Sequence, residues 1–303
     1  MTTFAAQQAV GLIVLYIVLL FVLPSGQDGL RSYHLTNFEL KVVHFAISLP
    51  VLLVWLAAFL GFASLRQYAI AIRKTPEGEY FARLADGVTW LAWSLPIAGL
   101  ATLILNSMAN QWPGFQPTSV IITNYINLLF PLIAFSIIGV ASRGLVIHAN
   151  VKLGLAAARL IIIVFLIAGV LYCYLTFRHF DLSNLGTTNN PYYLPIWLMV
   201  LTVIVPYLYA WFVGILSSYE ITLLSRQVRG VLYRRPLQWL AVGLATIIVS
   251  SIALQYVNGI YPRGGHLVLD YRLVINVLFR IVGGAGFIIL AIGAARLKKI
   301  EDV

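Results

Sequence analysis

The feature that most constrains this chain is a series of eight apolar runs, each long enough to cross a lipid bilayer as a helix. A helix needs roughly 20 apolar residues to span the hydrocarbon core. Inside a bilayer every backbone polar group must be satisfied within the protein, so runs of this length form helices and not strands. We therefore predict an all-α membrane protein, a polytopic bundle of eight transmembrane helices that forms a single integral membrane domain over residues 1–303. The runs occupy about residues 7–24, 42–64, 87–108, 119–141, 157–177, 193–216, 237–257 and 271–295.

The composition agrees with a membrane location. Hydrophobic residues make up 61% of the chain and charged residues 10%, whereas a soluble domain carries roughly 25% charged residues. Residues 1–8 carry no side-chain charge and no small-residue cleavage site follows the first run, so we interpret that run as a retained helix and not as a signal peptide. The single cysteine, Cys173, excludes an intrachain disulfide and a multi-cysteine metal site.

The basic residues predict the orientation of the bundle, because cytoplasmic connections carry an excess of Lys and Arg. Alternate connections and the C-terminal tail hold fourteen of them, at 66, 73, 74, 83, 143, 152, 159, 226, 229, 234, 235, 296, 298 and 299. The opposite connections hold five, at 31, 41, 178, 263 and 272. This asymmetry predicts a protein of the plasma (inner) membrane with both termini in the cytoplasm. It also argues that the net charge of +10 reflects topology and not a nucleic-acid partner.

Three of the runs share a weak repeat. The second, fourth and sixth runs each contain a proline, at Pro50, Pro131 and Pro206, and Gly139 and Gly214 both lie eight residues after theirs. Two interpretations remain open. The bundle contains three hairpin repeats with the first and eighth helices as outer partners, or the pattern is a coincidence in a sequence dominated by Leu, Ala, Gly and Val.

Prolines inside the runs are candidate hinges. Pro50, Pro96, Pro131 and Pro206 each fall well inside a predicted helix. A proline there removes one backbone hydrogen bond and clashes with the preceding turn, which kinks the helix. The kinks open a central cavity or act as hinges, or they are fixed bends that shape the packing, and the sequence leaves both interpretations open.

Polar side chains within the runs fall at a similar depth, in the half of the bilayer that the topology places outside. Several are spaced four residues apart, which puts both members of a pair on one helix face. We predict that they line an outward-facing polar pocket. The candidate ligand-binding residues are His44, Ser48, Asn106, Asn124, Asn127, Gln255, Asn276 and Arg280.

Arg280 is the most informative of these residues, because it is a permanent cation about 12 Å from the outer end of its run. Exposed to lipid, such a charge costs from about 3 to over 10 kcal/mol, so we expect it to face the bundle or a wet cavity. A guanidinium there suits a carboxylate or phosphate ligand. The alternatives are that Arg280 reaches out to headgroups, caps helix carbonyls, or pairs with Asp270 or Glu39 at the outer rim.

Catalytic and cofactor motifs are missing from the sequence. There is no phosphate-binding lysine loop, no nucleophile elbow and no zinc-protease helix motif, and the histidines are not paired as haem ligands. We therefore predict no catalytic residues, no cofactor and no metal. All ten acidic residues fall in predicted connections, tails or helix ends, which argues against a proton carrier with a carboxylate in the membrane core.

These observations favour a protein that is not an enzyme. The first hypothesis is the transport or permeation of a small polar or anionic molecule through the pocket at Arg280. A membrane sensor with an outward-facing ligand pocket, and a lipid-acting enzyme or assembly subunit, are the alternatives. The expected partners are membrane lipids, a small anionic or polar ligand, and a second copy or partner subunit.

Overall fold

The computed structural model describes residues 2–23, 36–151, 195–227, 231–260 and 271–301, with short helical pieces between 159 and 170. Seven of the described helices are long and apolar enough to cross a membrane, so the chain is a polytopic helical membrane protein. The run at 157–177 lies largely outside the described residues. The seven helices are α1 Thr2–Val22, α2 Asn37–Ala71, α3 Pro76–Gln111, α4 Gln116–His148, α5 Val205–Gln227, α6 Val231–Ile260 and α7 Tyr271–Glu301.

Six of these helices form a closed ring, in which each packs along two neighbours. The order around the ring is α2, α3, α4, α5, α6 and α7, and α7 packs against α2 to close it. The first helix, α1, lies against α2 and α3. The last helix, which the hairpin-repeat interpretation treats as an outer partner, is a member of the ring.

The two ends of the bundle differ in charge. At one end α2, α4, α5 and α7 finish and α3 and α6 begin, and contacts between Tyr233 and Glu301 (3.1 Å) and between His148 and Glu77 (3.4 Å) join their termini. We call this the basic end and the opposite one the far end. The basic end carries Arg66, Arg73, Lys74, Arg83, Arg143, Arg226, Arg234, Arg235, Arg296, Lys298 and Lys299.

The helices at the basic end are longer than the apolar runs that predicted them. Between the second and third apolar runs, α2 continues to Ala71 and α3 begins at Pro76 after a tight turn. Proline is favoured at the first helical position, because the amide it lacks has no partner there. Thr75 and Pro76 therefore end the turn between two long helices.

The four predicted hinge prolines lie within or beside helical segments. Pro50, Pro96 and Pro131 are inside α2, α3 and α4. Pro206 is the second residue of α5 and follows a π-helical turn at Val200–Ile204, which itself continues the short helix Ile196–Met199.

Burial of side chains is uneven along the length of the helices. In α3 most buried residues lie between Gly78 and Pro96, and beyond Pro96 the described part of that helix buries only Ser107. In α7 the buried positions begin at Gly283 among the residues whose side chains are described. The bundle is therefore closely packed from its middle to the basic end and more open toward the far end.

A close helix crossing joins α6 to α7 through two glycines. A Cβ atom added to Gly243 would lie 2.7 Å from the backbone oxygen of Gly286, and one added to Gly286 would lie 2.8 Å from the backbone oxygen of Gly243. Small residues allow such backbone approach in membrane bundles. Since both obstructing atoms belong to backbone, the crossing cannot accommodate a larger residue without moving a helix.

We expect Gly243→Ala to lower the free energy of unfolding by about 1–3 kcal/mol, the usual cost of overpacking a closely packed site. Gly11→Ala is the matched control, because a Cβ at Gly11 meets no atom within 4 Å. Thermal unfolding of the two purified variants in detergent measures the difference. Equal midpoints for both variants would contradict this account of the crossing.

The first turn of α2 is held by a capping box. The Thr36 hydroxyl accepts from the Glu39 amide at 3.3 Å, and the Thr36 amide donates to the Glu39 carboxylate at 2.7 Å. Hydrogen bonds from the amide and then the hydroxyl of Thr36 lower the pKa of Glu39 from its usual value. The ionised carboxylate is thus the form that supports the cap.

Glu39→Gln should therefore reduce stability in a pH-dependent way. Because the folded-state pKa of Glu39 is lowered, the wild-type advantage is complete above the unfolded value of 4.5 and is lost as pH falls through the folded-state pKa. Thermal unfolding of both proteins from neutral to acidic pH measures this advantage. A difference that stays constant over the whole range would contradict the role of the ionised carboxylate.

Candidate functional site

Arg280 lies on the side of α7 that faces the bundle. It precedes Gly284, Phe287 and Ala294 by four, seven and fourteen positions, and these three residues are buried. Such intervals keep residues near one face of an α-helix. Arg280 therefore does not belong to the exposed face of α7 that includes Ile281.

The Arg280 side chain is nevertheless accessible to solvent. Many protein atoms also lie around the guanidinium. A side chain on the outer surface would have few protein atoms around it, and a side chain in a packed core would not be accessible to solvent. From this combination we infer that Arg280 lines a hollow between the helices, in the more open far half of the ring.

The guanidinium of Arg280 has no ion pair with the acidic residues that the structure describes. Glu39, one of the two proposed rim partners, is bound to Thr36. Asp270, the other, lies outside the described residues. The described residues therefore give no support to the rim ion pair with Glu39.

Tyr16 of α1 joins two of the predicted site residues. Its hydroxyl lies 3.3 Å from His44 Nε2 and 3.3 Å from Ser48 Oγ, both on α2. Its ring packs edge-on against Trp55, with centroids 5.5 Å apart. The phenol also lies near enough to the Arg280 guanidinium to affect its electrostatic surroundings. The structure thus brings His44, Ser48 and Arg280 into one neighbourhood around Tyr16.

Tyr16 was missed by reasoning from the sequence. The available signal was a tyrosine deep inside an otherwise apolar run, since residues 9–23 contain no other polar side chain. Tyrosines in membrane helices are common near the interface, so this signal alone did not distinguish a site residue.

Asn124 is the second donor that faces the ring. It precedes Leu128, Phe135 and Ser142 on α4 by four, eleven and eighteen positions, and all three are buried. Its Nδ2 atom is itself buried and has no hydrogen-bond partner in the described structure. Buried amide donors are normally satisfied, so an unoccupied donor here indicates a missing acceptor.

Asn124 and Arg280 lie at matching depths on opposite sides of the ring. Asn124 is eight residues after Gln116 and Arg280 is nine after Tyr271, so both are about 12–14 Å from the far ends of their helices. In the ring order, α4 is three positions from α7 in either direction. The two donors therefore face the same open region from opposite walls.

The other predicted site residues are not brought together by the structure. Asn127 is partly buried on α4, and Asn106 is exposed on α3 with its backbone oxygen accepting from Asn110. The side chains of Gln255 and Asn276 lie outside the described residues. Their roles remain predictions.

A buried carboxylate corrects the expectation that every acidic residue lies in a connection or at a helix end. Glu220 falls in the predicted connection 217–238, but α5 continues to Gln227 and carries Glu220 into the bundle, where it is 1% exposed. Ser142 Oγ donates to its Oε2 at 2.7 Å, and Arg143 Nη1 lies 3.3 Å from its Oε1. Sequence spacing could not pair residues 78 positions apart.

The hollow near Arg280 is suited to an anion. Arg280 and Asn124 offer N–H donors to it, while the described His, Cys, Asp and Glu residues include no group of three that could hold a metal ion. An anion placed there would offset the charge of Arg280 and accept from both walls. The chain matches no family model, no curated protein and no solved structure.

A cysteine placed at position 280 should react with a charged, membrane-impermeant thiol reagent. The reactive species is the thiolate, which forms in water and not in lipid. Ile281→Cys is the matched control, because Ile281 is exposed on the outer face of α7, where acyl chains would cover it. Both variants are made in a Cys173→Ser background and labelled in intact membranes. Equal labelling at 280 and 281, or none at 280, would exclude a wet hollow.

Proposed function

We propose that this chain is a transport or permeation protein of the plasma (inner) membrane that takes a small anionic or polar molecule through the hollow at Arg280. The observation that supports this proposal is a guanidinium on the bundle-facing side of α7 that remains accessible and has no ion pair among the described acidic residues. Membrane lipids cover the outer apolar surface in this proposal.

An anion would resolve the electrostatic cost of this arrangement. A charge held deep in a membrane bundle is unfavourable unless a partner or water compensates it. Guanidinium presents a planar fork of donors that matches carboxylate and phosphate groups. The unpartnered Nδ2 of Asn124 supplies a neutral donor from the opposite wall, which adds directionality without adding charge.

The proposed orientation places the hollow outside the cell. Eleven Lys and Arg residues of the described chain lie at the basic end, and such residues favour the cytoplasmic side. The far end, where the ring is open, then faces outward. The full proposal includes eight spans, with the region 157–177 as the eighth, three hairpin repeats, and both termini in the cytoplasm.

Passage would require the closely packed basic end to open while the far end closes. Alternating exposure of one site is the usual behaviour of membrane transporters, and it often uses interrupted helices. Pro131 lies between the Asn124 region and the basic end of α4, and the π-helical turn precedes Pro206. These are the proposed bending points.

A sensor is the second candidate function, and the continuity of α7 favours it. That helix runs from Tyr271 through Arg280 to Glu301 without a proline. Ligand binding at Arg280 would then be transmitted along one rigid helix to a partner subunit at the basic end. Binding without flux distinguishes this function from transport.

Anions should stabilise the purified protein through Arg280. A ligand at about 100 times its dissociation constant adds about 2.7 kcal/mol, which corresponds to a shift of several degrees in a protein of this size. The probes are sodium phosphate, sulfate and acetate against chloride at equal ionic strength. We expect Arg280→Gln to lose the shift, Arg280→Lys to keep part of it, and the control Arg226→Gln, at the basic end, to keep it. A full shift in Arg280→Gln would refute the binding site.

A measurement of anion flux distinguishes the transport function from the sensor function. The anion that gives the largest shift is radiolabelled, and its uptake is followed in proteoliposomes containing wild type, Arg280→Gln or Arg226→Gln. Uptake that Arg280→Gln abolishes and Arg226→Gln preserves supports transport. Stabilisation of the wild type without uptake supports the sensor, and the absence of both overturns the anion site altogether.

A further inference from the structure

A second ionisable site lies far from Arg280, at the contact between α4 and α5. Glu220 is seven residues from Gln227, the last residue of α5, and so lies about 10 Å from that end of the helix. Its side chain is almost completely buried. An ionisable residue inside a membrane span is costly to keep and usually serves a function.

The cation beside Glu220 is held loosely. Arg143 approaches one carboxylate oxygen at 3.3 Å, and half of its side chain is exposed. Close charge-assisted pairs have separations of about 2.7–2.9 Å. Arg143 can therefore turn toward solvent without first leaving a buried position, which would leave the carboxylate to be neutralised in another way.

The hydroxyl of Ser142 can form a hydrogen bond with Glu220 in both protonation states of the carboxyl group. It lies 2.7 Å from Glu220 Oε2 and 3.2 Å from the backbone oxygen of Gly139, and its single hydrogen can bond to one of them at a time. When Glu220 is ionised, the hydroxyl donates to the carboxylate. When Glu220 is protonated, its own O–H donates to Ser142 Oγ, and Ser142 donates to Gly139. Each hydroxyl and carboxyl hydrogen then has an acceptor in both states.

No other charged group among the described residues competes for this carboxylate. Around Glu220, α4 contributes Arg143, while His148 of α4 pairs with Glu77. From α6, Tyr233 bonds to Glu301. The other ionisable residues on the packed elements are Tyr125 of α4, Tyr207, Tyr209, Tyr219 and Arg226 of α5, Arg234 and Arg235 of α6 and Arg159 of the piece between 159 and 170, and none of them forms a described hydrogen bond or ion pair with Glu220.

We propose that the Glu220 carboxyl is a proton-binding site that loads from the basic end, and that its protonation removes the ionic contact with Arg143 and so weakens the tie between α4 and α5 to the neutral hydrogen bond with Ser142 during transport. The proton site rests on Glu220, Ser142 and Arg143 alone. The coupling to transport rests on the proposed function as well, because it needs an anion to move past Arg280.

The step moves one proton and no electrons. A hydronium ion at the basic end breaks one O–H bond and a new O–H bond forms at Glu220 Oε2, leaving a water molecule. Arg143 loses its partner and turns into solvent, so the site gains one positive charge. The ionic contact between α4 and α5 is then absent, and the closely packed end of the ring can open.

Infrared difference spectroscopy of the purified protein tests the proton site directly. We expect a carbonyl band of a protonated carboxyl group to appear as pH is lowered, and to be lost in Glu220→Gln. Glu79→Gln is the matched control, because Glu79 is an exposed carboxylate paired with Arg83, and it should leave that band unchanged. In Arg143→Gln the band should persist to higher pH, because the ionised form has lost its cation.

Arg143→Gln tests the proton site independently if Glu220→Gln fails to fold. A spectrum in which no titrating band differs between wild type and Glu220→Gln, or in which Arg143→Gln titrates like wild type, would show that the buried pair is only structural. That result would overturn the proton site.

Coupling is measured with a trapped pH-sensitive dye in proteoliposomes, using the anion identified by thermal shift. We expect the anion gradient to drive proton movement in wild type and Glu79→Gln, and Glu220→Gln to lose it. Unchanged proton movement in Glu220→Gln, with Arg280-dependent stabilisation intact, overturns this inference and leaves the anion site standing. A titrating Glu220 in a protein that neither binds nor moves anions overturns the proposed function and the coupling, and leaves the proton site.

Discussion

A permanent cation on the inward face of α7 constrains how the whole far half of the bundle can be built. Arg280 cannot lose its charge usefully, and the described acidic residues do not pair with it. The surrounding helices must therefore leave room for water or an anion. This requirement accounts for the sparse burial of α3 beyond Pro96 and for the accessible side chain at a position where α7 otherwise faces protein.

The two halves of the ring deal with charge in different ways. In the far half a cation stands in an open hollow, and the groups near it are neutral donors and hydroxyls. Toward the basic end the helices pack closely, and Glu220 is buried with Arg143 and Ser142 beside it. A buried pair is weak evidence for stability, because desolvation offsets its attraction. The pair between Glu220 and Arg143 lies where α4 contacts α5 in the closed ring. Neutralising Glu220 would therefore weaken the contact between these two helices.

The sequence predicted the helices and the clustering of basic residues at one end, because apolar length and charge bias are local properties. It did not predict Glu220 in the bundle, since the sixth apolar run stops at 216 and hydropathy cannot show that the helix continues with a buried face. It missed Tyr16 for a similar reason, because His44 and Ser48 lie 28 and 32 positions away. Ring closure by α7 also depends on contacts between distant segments, which no local pattern contains.

The helix α4 links the two sites physically. Asn124 and Ser142 are eighteen positions apart on one helix face, and Pro131 lies between them. Proline removes a backbone hydrogen bond and is a common cause of helix bending. A bend at Pro131 would move Ser142 and Arg143 relative to Asn124 without unfolding either half of α4. Loss of the ionic contact between Arg143 and Glu220 would leave only a neutral hydrogen bond at this crossing and make it easier for the basic half of α4 to bend, and the resulting movement would alter the wall of the hollow that faces Arg280.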